Sequence, residues 1–86
     1  MRVNIPSPLH SYTHRKSVVE AIGRTVRELL ADLDGRFPGI RFRMIDEQDG
    51  IRAHIRIFVN RTLAEHLDAA LQPGDEVDII CAISGG

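Results

Sequence analysis

The 86 residues contain one cysteine, Cys81, and no tryptophan. A lone cysteine excludes an internal disulfide, so the core alone must hold the fold. There is one lysine, Lys16, against ten arginines, and the aromatic residues are three phenylalanines and one tyrosine. Those arginines are spread over strands, helix and loops with acids among them. So few aromatic rings make a poor platform for stacked bases, which argues against nucleic acid as a partner. No apolar run approaches the ~20 residues needed to span a bilayer. The stretch from Met1 to His10 has no apolar centre of secretory type. We therefore expect a cytoplasmic protein with no membrane partner.

Catalytic equipment is also missing. His10, His14, His54 and His66 have no cysteine or acid at a spacing that completes a metal set. Ser11, Ser17 and Ser84 lack the strand–turn–helix setting of a nucleophile elbow. No glycine-rich phosphate loop opens a helix. The chain reads as a carrier or substrate of other enzymes, binding no cofactor itself.

What is present is the composition of one small globular domain, 43% hydrophobic and 27% charged. Val3 and Ile5 alternate with Arg2 and Asn4 in a short first strand, ended by Pro6 and Pro8. Residues 15–22 read as a second strand that forms a hairpin with the first. Thr25-Val26-Arg27-Glu28 is a capping box, and Val26, Leu29, Leu30 and Leu33 follow at helical spacing. Asp34-Gly35 and Phe37-Pro38-Gly39 end that helix. Residues 40–45 fit either a helical turn or irregular chain. Residues 52–60 form a strand with Ile55, Ile57 and Val59 on one face. Leu63, Leu67 and Leu71 predict a short second helix over 62–71. Pro73-Gly74 suits the centre of a type II turn. Residues 76–83 form the last strand, with Val77, Ile79 and Cys81 facing inward. On that parity Cys81 is a core thiol rather than a reactive one. The order implies an α+β domain with its main helix on one sheet face.

Net charge is −1, but the two signs are segregated. All eleven basic residues lie within positions 1–61 beside seven acids; the last 25 residues hold five acids and no base. Since the acidic end is also the C-terminal end, a basic partner surface is expected there.

Three motifs, in this order and at these places, give the chain a family likeness. Thr25-Val26-Arg27-Glu28-Leu29-Leu30 opens the helix, Phe58-Val59-Asn60 closes the third strand, and Pro73-Gly74-Asp75-Glu76-Val77 leads into a strand followed by Ser84-Gly85-Gly86. With them the chain resembles the MoaD/ThiS sulfur-carrier family. That likeness implies a ubiquitin-like β-grasp fold: a mixed sheet of about four to five strands, one main helix on one face and a short second helix. Residues 1–82 would form the domain and residues 83–86 a flexible tail. A ubiquitin-activating-type adenylating enzyme would use ATP to adenylate the carboxylate of Gly86. A sulfur donor, such as a sulfurtransferase or cysteine desulfurase, would convert it to a thiocarboxylate. An acceptor biosynthetic enzyme would then take the sulfur. The same tail would serve a protein modifier joined through Gly86 to lysines, which is the alternative reading. Ile79-Ile80-Cys81-Ala82 stands where molybdopterin-type carriers often have aromatic residues and a proline pair. The long connection over 36–53 looks more like carriers for cysteine or secondary pathways.

The residues agree with that chemistry. An α-carboxyl group has a pKa of about 3.3–3.7, so at neutral pH it is an unreactive carboxylate until it gains a leaving group. Gly85 and Gly86 carry no side chain to obstruct a narrow slot beside ATP. Partner contacts are expected at Ser84, Ile83, Ile80 and Phe58. Ile80 and Phe58 would form an exposed apolar spot, rimmed by Arg56 and Asp78, if their strands are neighbours.

Overall fold

The structure is a computed structural model and is described for residues 1–82. The first strand, β1 (Arg2–Asn4), pairs antiparallel with β2 (Val18–Glu20), so the N-terminal hairpin forms as expected. Its connection is a compact loop with a 3-10 turn at Ser7–Leu9, pinned by buried Leu9 and Thr13. The second strand is shorter than its sequence suggests. Val19 is buried, whereas Val18 and Ile22 point into solvent.

Helix α1 (Val26–Arg36) starts where the capping box places it. Glu28 N donates to Thr25 Oγ1 at 3.2 Å, and Arg24 N donates to Glu28 Oε1 at 2.9 Å. Two backbone donors at the helix start are thus satisfied reciprocally. Val26, Leu29, Leu30 and Leu33 are fully buried. Residues 40–44 resolve as a second, five-residue helix, α2 (Ile40–Met44), entered through Gly39 at φ 96°. Arg27 of α1, Arg41 of α2 and Asp49 of the following turn form exposed ion pairs that tie these segments together.

Strands β3 (Ile55–Val59), β4 (Thr62–Ala64) and β5 (Glu76–Cys81) complete a five-stranded sheet in the order β2-β1-β5-β3-β4. The central pair, β1 and β5, is parallel and the others are antiparallel. Ile55, Ile57, Val77 and Ile79 meet α1 on one face, with Val59 and Cys81 partly buried at its edge. Gly74 has φ 90°, the conformation a type II turn needs at its third position.

One element differs from the sequence reading. Residues 62–71 do not form a helix: they give β4 and then an irregular segment, and the short second helix is α2 instead. The physical reason lies in the start of α1. Its first amides have no partner within the helix. Val26 N donates to Ala69 O at 3.1 Å and Arg27 N to Leu67 O at 2.8 Å, while Leu71 N donates to Arg24 O at 2.9 Å. An open segment leaves Leu67 O free for Arg27 N and Leu71 N free for Arg24 O, whereas in a helix over 62–71 Leu71 N would donate to Leu67 O instead. Leu67 and Leu71 are buried without helical geometry, and Leu63 turns outward from β4.

Candidate functional site

The helix-free face of the sheet carries the residues of opposite parity on each strand. β3 and β5 are neighbours, with Arg56 opposite Ile80, Ile57 opposite Ile79 and Phe58 opposite Asp78. Ile80 and Phe58 therefore lie diagonally adjacent on one face, with Arg56 and Asp78 at the other corners. Ile80 is 45% exposed and Phe58 is half-buried. The expected apolar spot is present.

The spot also has a third member. Leu63 on β4 stands directly opposite Phe58 and is 43% exposed. Reading 62–71 as a helix hid it. The usable signal was the β-branched Thr62 directly after the Asn60-Arg61 turn, where both residues have positive φ. One strand edge of the spot is polar: Asn4 Nδ2 donates to Glu76 Oε2 at 2.6 Å and to Asp78 Oδ1.

At the end of β5, Ala82 N donates to His54 O at 2.7 Å, the last described backbone bond along the chain. Arg56 Nη1 donates to Ala53 O at 2.7 Å and Ile55 O at 3.0 Å, which holds its guanidinium near the same end. Arg43, Arg52, His54 and Phe42 line a hollow of about 240 Å³ beside His54. The surroundings of Ala82 that other elements supply are thus cationic. Charge segregation along the sequence suggested the opposite, because Glu76 and Asp78 are close to Ala82 in sequence but are engaged with β1. Burial pushes the Cys81 thiol up, away from the thiolate form.

Gly85, Gly86, Ser84 and Ile83 lie outside the described residues. Of the expected contact residues, the structure brings Ile80 and Phe58 together. Among the described residues no group of histidine, cysteine and acidic side chains is arranged to hold a metal ion. No helix of the described residues is long and apolar enough to cross a membrane.

A model of the ThiS family matches residues 3–86. The sulfur carrier protein CysO of Mycobacterium tuberculosis is 32% identical over 89 residues, covering 98% of this chain and 96% of its own. The crystal structure of that species' CysO superposes with a TM-score of 0.89 at 29% identity, covering 95% of this chain and 98% of that one. In the crystal structure of the Amycolatopsis orientalis BexX/CysO complex, the matching chain gives a TM-score of 0.91 at 33% identity, with 99% and 98% coverage. Small archaeal modifier protein 1 of Haloferax volcanii has the same fold, with a TM-score of 0.78 at 27% identity over 100% of this chain and 98% of that one. A ubiquitin-like sheet and a family match over nearly the whole chain agree with each other: the chain belongs to the ThiS family, within the MoaD/ThiS sulfur carriers, and is a sulfur carrier protein.

Proposed function

We propose that this chain carries sulfur as a thiocarboxylate on Gly86 and presents it to a biosynthetic enzyme. A ubiquitin-activating-type partner consumes ATP to convert the Gly86 carboxylate to an acyl-adenylate. Sulfur from a sulfurtransferase or cysteine desulfurase displaces AMP, and the thiocarboxylate then gives up its sulfur to the acceptor. Gly85 and Gly86 supply the side-chain-free end that enters the partner's slot, and Ser84 and Ile83 contact its walls. Ile80, Phe58 and Leu63 form the docking surface. Three adjacent apolar side chains on an open sheet face, flanked by Arg56 and Asp78, suit a desolvated contact with a polar rim.

One observation carries this reading: the family match extends through Gly86 on a fold whose last strand passes the exposed apolar spot. A CysO chain of this fold occurs in a complex with BexX, which supports docking of this chain on a partner protein. ATP–pyrophosphate exchange by an activating enzyme tests it. Exchange supported by the full chain and abolished by deleting Gly85-Gly86 is expected. Equal exchange with the deleted chain would reject it.

A second reading has its own support, the likeness to the archaeal modifier protein at 27% identity. In that case Gly86 forms an isopeptide bond with a lysine amine. High-mass conjugates on a blot, lost on deletion of Gly85-Gly86, would favour it over sulfur transfer.

A further inference from the structure

We infer that Arg43, Arg52 and Arg56, with Phe42 and His54, form a cationic collar where β5 ends, and that it seats on carboxylates at the mouth of the slot in the activating enzyme. This rests on the sulfur-carrier reading and adds a second, electrostatic contact to the apolar one.

Four observations converge on it. First, four arginines elsewhere, Arg2, Arg27, Arg36 and Arg41, make ion pairs with acids of this chain. Arg43, Arg52 and Arg56 make none among the described residues; nor do Arg15, Arg24 and Arg61, but Arg43 and Arg52 share one hollow beside His54, and Arg56 is held to Ala53 O next to it. Asp46 is near enough to feel the charge of Arg52, but its carboxylate is engaged by the amides of Gly50 and Gln48.

Second, the collar is fixed in place. The Arg52 guanidinium lies 4.6 Å from the centre of the Phe42 ring, and its Nε donates to Phe42 O at 2.8 Å. Phe42 is nevertheless 56% exposed. An exposed ring held under an oriented guanidinium loses little freedom on binding, and arginine and aromatic residues are enriched where binding energy concentrates.

Third, the collar adjoins the end of β5 through the bond from Ala82 N to His54 O. Four more residues reach at most about 14 Å when extended, so a protein that accepts Gly86 comes within that distance of the end of β5. Fourth, Arg56 is directly opposite Ile80, which makes the collar continuous with the docking spot. The hollow of Phe42, Arg43, Arg52 and His54 has no acidic lining residue, and the single Glu65 beside Arg52 and Arg56 in the neighbouring hollow leaves the balance positive, so the complementary surface is acidic. A single exposed ring gives no run of stacking positions for a nucleic-acid strand.

The test is steady-state adenylation of the full chain by a ubiquitin-activating-type enzyme, with the carrier as varied substrate. Arg43→Glu and Arg52→Glu are each expected to raise KM by about tenfold at low salt with kcat preserved. The difference from wild type should shrink as ionic strength rises above ~0.15 M. Arg43 makes no side-chain hydrogen bond among the described residues, so its variant breaks none, and circular dichroism melting checks the fold of both, including the cost of an acid in the last turn of α2. Unchanged KM and salt dependence for Arg43→Glu, with wild type adenylated normally, would overturn the collar and leave the carrier reading intact. Failure of wild type to be adenylated by an enzyme competent on a related carrier would overturn both. Lost retention of single-stranded RNA by Arg43→Glu, with KM unchanged, would assign the surface to nucleic acid and also overturn the inference.

Discussion

Phe58 and Leu63 stand directly opposite each other across the β3–β4 pair, on the face of the sheet that α1 leaves open. With Ile80 diagonal to Phe58, they make an apolar surface for which the described residues provide no cover. Exposed positions contribute little to folding, so substituting them separates binding from stability. Leu63→Ser and Ile80→Ser are each expected to raise the KM for the carrier in adenylation by about tenfold, the effect of losing a contact worth ~1.4 kcal/mol. Their thermal midpoints should stay within a few degrees of wild type. A changed midpoint with unchanged KM would show that the face serves folding instead.

The start of α1 is fastened twice, by its own capping box and by the carbonyls of residues 67 and 69. Thr25→Ala removes the hydroxyl that accepts from Glu28 N, together with the γ-methyl, and leaves the backbone bonds in place. We expect it to cost about 1 kcal/mol, read as a lower urea midpoint with an unchanged slope. A loss much larger than that would mean the backbone bonds to Leu67 and Ala69 depend on the cap.

Those same bonds explain which parts of the fold were legible in sequence. The cap, the alternation of Ile55, Ile57 and Val59, and the run from Glu76 to Cys81 are local patterns that tertiary contacts reinforce. Leu63, Leu67 and Leu71 are also a local pattern, at a spacing of four, but the neighbouring helix start needs acceptors more than the segment needs helical bonds. Periodicity cannot register that competition. The apolar spot was half legible, because strand parity gives the outward residues but not which strands are neighbours. The cationic surroundings of Ala82 were not legible at all: Arg43, Arg52 and His54 come from positions far from it in sequence.

Gly23 precedes the cap and touches the helix it introduces. A Cβ there would stand 2.5 Å from Leu29 N and 2.9 Å from Glu28 C, both backbone atoms that cannot move without shifting α1. Gly23→Ala is expected to destabilise the domain by about 1–3 kcal/mol, in the range of overpacked sites. Gly35 has open space around its α-carbon within α1, so Gly35→Ala should be neutral or stabilising by up to ~1 kcal/mol. Equal denaturation midpoints for the two variants would contradict this placement of Gly23.

Three aspartates, Asp49 exposed and Asp46 and Asp75 half-buried, set the acid limb of stability. The amides of Gly50 and Gln48 hold the Asp46 carboxyl below the usual range. Hydrogen bonds from Arg27 and Arg41 do the same for Asp49, and the Gln72 amide and Asn60 for Asp75. A folded-state pKa below the unfolded value of about 3.9 gives stability that is present above that pH and lost as pH falls through it. The urea midpoint should therefore hold from neutral pH to ~5 and fall below ~4. Asp49→Asn should flatten part of that fall. Added salt should weaken the Asp49 contribution, which rests on exposed ion pairs, more than those of Asp46 and Asp75, which rest chiefly on backbone amides. A midpoint that rose on acidification would contradict the sign of all three.

The central claim is that Gly86 carries the sulfur. Intact-mass spectrometry of the full chain, incubated with its activating enzyme, ATP and a sulfur donor, tests it most directly. The account predicts a product heavier by the exchange of one oxygen for one sulfur, localised by fragmentation to Gly86 and absent when ATP is withheld. An unchanged mass, with an enzyme and donor that modify a related carrier under the same conditions, would contradict it.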